Sequence, residues 1–156
     1  MKCITLLTCE KVIIDKEGAH SLINVMLNAN VKLQQVQEGQ PAEDTLIPND
    51  AVTPMQWWIY TVWNPSSDDV GRAFEQVYQV FWPNNEKLAE STLPFTQKDE
   101  KMQQTTFYIG GFPIGQQGKI RVVTWLHFEG RRVSEMAETY IMVNHIEAGT
   151  DTPQVK

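Results

Sequence analysis

The hydrophobic pattern of the chain has period two almost throughout. Residues 2–14 form an apolar, β-branched run, KCITLLTCEKVII. It stops at Asp15-Lys16-Glu17-Gly18, where Asp at the first position and Gly at the fourth suit a type I turn. From His20 the chain alternates. Ile23, Val25, Leu27, Ala29, Val31 and Leu33 share one face, against Asn24, Asn28, Asn30 and Lys32 on the other. This predicts one long first hairpin. Between Gln34 and Pro54 the pattern lapses into a polar stretch with three prolines. A loop of about 20 residues is longer than compact domains usually carry. A surface excursion, a binding loop and a swapped arm all remain open for 34–54.

The third strand, QWWIYTVW at residues 56–63, departs from the alternation because it is apolar on both faces. Trp58, Tyr60 and Val62 lie on one face, and Trp57, Ile59 and Trp63 on the other. A core absorbs one face only. The second must be covered by the chain itself, by a protein partner or by a small ligand, since exposed aromatic patches mark interfaces and ligand sites.

Further strands are predicted from Arg72 to Trp82 and from Lys87 to Pro94, joined by a tight turn at Pro83-Asn84-Asn85. Residues 97–101 are expected to be a solvated connection. The next strand runs from Gln103 to Ile109 and is ended by Gly110-Gly111 and Pro113. In the last hairpin Ile120, Val122, Thr124, Leu126 and Phe128 face one way, and Lys119, Arg121, Val123, Trp125 and His127 the other. Glu129-Gly130 fits a two-residue turn. Pairing Phe128 with Arg131 sets Arg121 opposite Glu138 and Leu126 opposite Val133, which joins opposite charges on one face and apolar groups on the other. Many short strands with no amphipathic helix predict an all-β fold of two antiparallel sheets packed face to face, with little or no helix. The domain is expected to span 1–147, with a flexible tail at 148–156. No internal repeat suggests a propeller or solenoid.

The opening LLTCEKVIID, a turn and GAHSLINV resemble the start of a bacterial and phage family catalogued as a domain of unknown function. The segments FWPNNEKLAE and GGFPIGQQGKIRVVTWLHFEGRRVSE are similar to that family's later strands. In the first of these, Pro-Asp-Gly is more usual than Pro83-Asn84-Asn85. The resemblance implies an immunoglobulin-like β-sandwich and brings no activity, cofactor or catalytic residue with it.

Composition changes this picture little. The chain has 156 residues, 42% hydrophobic and 21% charged, which suits one globular domain. Its formal net charge of −6 argues against a nucleic-acid partner, because phosphate binding wants a basic stripe. No segment reaches the roughly 18 apolar residues of a membrane span, and the short apolar run at the N-terminus suits a strand better than a leader. A soluble, cytoplasmic protein is expected. Cys3 and Cys9 on one extended strand would stand about 20 Å apart, too far for a disulfide, so buried thiols are expected.

Chemical motifs are scarce. His20, His127 and His145 have no metal-ligand spacing and there is no CxxC pair, so no metal site and no cofactor is expected. The glycines at 110–118 fail the phosphate-loop pattern, which would need glycine at Pro113 and Ser or Thr at Ile120. No catalytic residue is nominated. Asp68-Asp69 offers oxygen ligands but lacks further acidic residues at alternating spacing. The aromatics remain. The chain is read as a non-catalytic binding protein that associates with another protein, or with copies of itself through the outer face of the third strand. Trp57 or Trp58, Trp63 and Trp125 are the candidate contacts, with Arg121 and Arg132 beside them. The alternative is a small-molecule or carbohydrate binder using the same Trp and Arg platform.

Overall fold

A computed structural model of the chain describes residues 1–33 and 47–147. The 34–46 part of the expected loop and the expected tail at 148–156 lie outside the described residues. The fold is all-β. Its strands are β1 (Lys2–Ile14), β2 (His20–Val25), β3 (Asn28–Leu33), β4 (Val52–Asn64), β5 (Ala73–Phe81), β6 (Lys87–Thr96), β7 (Gln103–Pro113), β8 (Gly118–Phe128), β9 (Arg131–Arg132) and β10 (Ala137–Glu147). A single 3-10 turn at Ser67–Asp69 is the only helical element among the described residues, and none there is long and apolar enough to cross a membrane. Two sheets form. Sheet A has the order β2-β1-β4-β7, and sheet B the order β3-β10-β8-β5-β6, with β9 added to β8. Trp57 and Ile59 of sheet A meet Tyr78, Val80, Ile120, Val122, Ile141 and Val143 of sheet B in one buried core.

The first hairpin is not continuous. β1 and β2 pair about the expected turn, where Gly18 N donates to Asp15 O at 3.1 Å. Asn24 then takes a positive φ of 51°, and Met26 turns into the core. Met26 N donates to Thr8 O at 2.7 Å, and the Thr8 hydroxyl donates to Met26 O at 2.9 Å. Beyond this point the chain crosses to sheet B, where β3 runs parallel to β10, the one parallel pair among the described residues. The crossing moves the inward position onto Met26, so the face shared by Ile23, Val25 and Leu27 turns outward while Ala29 and Val31 still pack against the core. Ile23, Val25 and Leu27 are exposed, Leu27 by 62%.

β4 starts at Val52, earlier than expected, and Pro54 lies in a bulge between Thr53 and Gln56, a place where a strand tolerates proline. Opposite this bulge the glycines do not end β7. The strand continues through them to Pro113, and Gly111 O accepts from Trp57 Nε1 at 3.0 Å.

The last hairpin turns at Glu129 and Gly130, with φ of 49° and 73°, and Phe128 pairs with Arg131. Val133 N donates to Leu126 O at 2.9 Å, as that register requires. The pairing of Arg121 with Glu138, however, is wrong. Leu126 N donates to the Ser134 hydroxyl at 2.8 Å, and β10 joins β8 two residues later. Arg121 therefore pairs with Tyr140, and Glu138 with Val123. A shift of two keeps every side chain on its expected face.

The turn after β5 closes when Asn85 N donates to Trp82 O at 2.9 Å and Trp82 N donates to Glu86 O at 2.9 Å. Asn85 sits at φ 68°, a left-handed position that glycine adopts without strain. Asn85→Gly is expected to raise stability by about 0.5 kcal/mol, relief of strain outweighing the added freedom of the unfolded chain. A urea midpoint that stays the same or falls would contradict this.

Candidate functional site

Alternation along β4 sends its tryptophans to different places. Trp57 and Trp63 point inward and are 0% exposed, so neither can meet a partner on the folded surface. Trp57 packs edge-on against Phe112, with ring centroids 5.8 Å apart, and Trp63 packs in a second cluster with Phe74 and Leu126. Their expected role as contacts gives way to packing, because the inner face of β4 faces sheet B. Trp58 points outward and lies edge-on to Tyr108 at 5.3 Å, half-buried.

The outer face of β4 is covered in part by the chain itself. The His20 ring lies 5.6 Å from the Tyr60 ring. Tyr60 pairs with Leu7 of β1, whereas His20 pairs with Ile14, seven residues further along β1. At 3.3 Å per residue that separation is about 23 Å in a flat sheet. Ring contact therefore requires the β1–β2 ribbon to arch back over the outer side of sheet A. Beneath it Cys9 is 0% exposed, and the Tyr60 hydroxyl donates to Gln104 Oε1 at 2.8 Å. Burial pushes the Tyr60 hydroxyl above its ordinary value.

The remaining candidates come together on the opposite side of the molecule, on the outer face of sheet B. Pairing across β5, β8, β9 and β10 lays them in rows: Glu75, His127 and Arg132; Val77 and Trp125; Gln79, Val123 and Glu138; Phe81, Arg121 and Tyr140. Trp125 Nε1 donates to His127 Nε2 at 2.9 Å, a bond that requires a neutral imidazole with its proton on Nδ1. In the last row the Arg121 guanidinium lies 4.2 Å over the Phe81 ring, and Lys119 Nζ stands 5.6 Å from the centre of the Tyr140 ring. Arg121 Nε is buried with no hydrogen-bond partner, and the guanidinium joins none of the ion pairs among the described residues. The Tyr140 hydroxyl is held above its ordinary value, first by a hydrogen bond with Glu138, then by desolvation and the Glu138 charge, against the pull of Arg121. Phe81 and Tyr140 escaped sequence reasoning. Alternation along β5 marks Phe81 as outward, but Tyr140 meets Arg121 only through the two-residue shift.

Groups that could do chemistry are committed elsewhere. Cys3 and Cys9 are free thiols, and burial pushes both above the ordinary thiol range, which lowers their thiolate content. Burial also lifts the Asp69 carboxyl, but donation from the Ser66 backbone, the amino group of Met1 and the Ser66 hydroxyl prevails, holding it below the usual range. His145 is occupied by Ile114 O at 2.7 Å. Among the described residues no three His, Cys, Asp or Glu side chains gather as a metal would need. Against known proteins, the chain matches no family model and no curated protein.

Proposed function

We propose that this chain is a non-catalytic binding module whose binding surface is the outer face of sheet B, with a second copy of the chain as its first partner. The observation that carries this reading is the convergence of Trp125, Arg121 and Arg132 on that one face, joined by the 39% exposed Tyr140. Aromatic and arginine side chains grouped on an exposed sheet are the composition of interface hot spots. The face carries both signs of charge, Lys119, Arg121 and Arg132 against Glu75, Glu90 and Glu138. A copy turned about a two-fold axis can therefore oppose them. The arm over sheet A turns the reading away from β4, whose outer side is already partly covered. The strand order, with β3 parallel to β10 beside β8, β5 and β6, supports an immunoglobulin-like sandwich, in line with the family resemblance.

A second reading, a small ligand on the same platform, is favoured by one observation, the unpartnered Arg121 Nε. Sedimentation equilibrium separates the two. The wild type should show a mass of twice the chain that falls to one chain in Trp125→Ala and in Tyr140→Ala, with circular dichroism unchanged. A wild type that stays at one chain mass, or variants that associate as tightly as it does, would overturn association through this face.

A further inference from the structure

We infer that Arg121 forms the centre of an oxyanion-binding site on the outer face of sheet B, taking a carboxylate or phosphate group along the edge of its guanidinium that carries Nε. This deepens the binding-face reading and rests on it. Three features converge. First, Phe81, Arg121 and Tyr140 are directly paired across β5, β8 and β10, and the guanidinium lies 4.2 Å over the Phe81 ring. Stacking on an aromatic face fixes the plane of a guanidinium and leaves its donors, which lie in that plane, to hydrogen-bond at its rim. Second, those donors lack the acceptor they need. Nε is buried with no partner, and no carboxylate among the described residues lies within ion-pair distance of Arg121. A charged donor buried without an acceptor is costly, and such groups call for a water, an ion or a ligand. Third, Lys119 supplies a second cation to the same face, over the Tyr140 ring, in a chain whose net charge is −6.

Glu138 lies two residues from Tyr140 along β10, on the same outer face. Glu138 makes no ion pair with Arg121, which leaves the guanidinium to an external acceptor. An oxyanion with two in-plane oxygens matches the fork of Arg121 in the bidentate manner that a lysine cannot reproduce.

The experiment is an NMR titration of the full chain at constant ionic strength, with inorganic phosphate in one arm and acetate in the other, following the Arg121 Nε–H and Tyr140 ring signals. Saturable shifts of both signals are expected with at least one anion, and the responding anion identifies the group, phosphoryl or carboxylate. Arg121→Lys, which keeps the charge and the fold, should weaken that binding about tenfold or more. Shifts that rise without saturation in both arms, or saturable shifts of equal affinity in Arg121→Lys, would overturn the inference. Its failure is separate from that of the binding-face reading. Association that depends on Trp125 with no anion response sinks only the oxyanion site, and anion binding by a permanent monomer sinks only association.

Discussion

Trp57→Ala is expected to cost about 3–5 kcal/mol of folding stability, the range for removing a fully buried large aromatic. The side chain is 0% exposed, lies edge-on to Phe112 and donates from Nε1 to Gly111 O at 3.0 Å. Truncation therefore opens a cavity in the centre of the sandwich and also leaves a backbone carbonyl without its partner. For a domain whose total stability is typically 5–15 kcal/mol, this approaches unfolding. Urea denaturation should show a much lower midpoint with an unchanged slope. Trp63→Phe should be milder than Trp57→Phe, because Trp63 Nε1 has no hydrogen-bond partner to lose. A loss under about 1 kcal/mol for Trp57→Ala would contradict its place in the core.

Gln76→Ala should have the second large effect, about 3 kcal/mol, although glutamine is usually a surface residue. Gln76 is 0% exposed, at the middle of a polar chain that crosses the core. Its Nε2 donates to the Thr124 hydroxyl at 3.0 Å, and its Oε1 accepts from the Thr105 hydroxyl at 2.7 Å. The chain continues from Thr105 to the Tyr78 hydroxyl at 3.1 Å and ends when Thr124 donates to Val77 O at 2.8 Å. Burial pushes the Tyr78 hydroxyl above its ordinary value, so it stays protonated as a hydrogen-bonding member of this chain. Thr105 lies on β7 of sheet A and Gln76 on β5 of sheet B, so these bonds tie the two sheets at one register. Truncation strips two buried hydroxyls of a partner and leaves a cavity. A double-mutant cycle of Gln76→Ala with Thr105→Val should give a coupling of about 1 kcal/mol or more. Strictly additive losses would mean that the two side chains do not act as a pair.

Period-two alternation was enough to read the strands and the two-sheet, all-β class, because a sheet with one buried face imposes that spacing directly. It separated Trp57 and Trp63 from Trp58 correctly by parity, yet it could not say which parity faced inward. What escaped it depended on contacts between segments distant in sequence. The exchange of Leu27 for Met26 as the inward residue follows from the crossing between sheets, which a run of alternating residues does not announce. The partner of Arg121 depended on Ser134, whose hydroxyl replaces a backbone acceptor and displaces β10 by two residues. The arm over β4 arises from curvature of β1, and no local motif encodes curvature. The buried polar chain was invisible for a related reason. Gln76, Thr105 and Thr124 lie on three strands, and their complementarity exists only after the sheets have stacked.

The claim that the outer face of sheet B is the binding surface is tested most directly by hydroxyl-radical footprinting at low and high protein concentration. Phe81, Trp125 and Tyr140 should become protected as concentration rises, while Trp58 and Tyr108 on the other sheet keep the same reactivity. Protection of Trp58 and Tyr108 with no change at Trp125 and Tyr140 would place the interface on sheet A and contradict it.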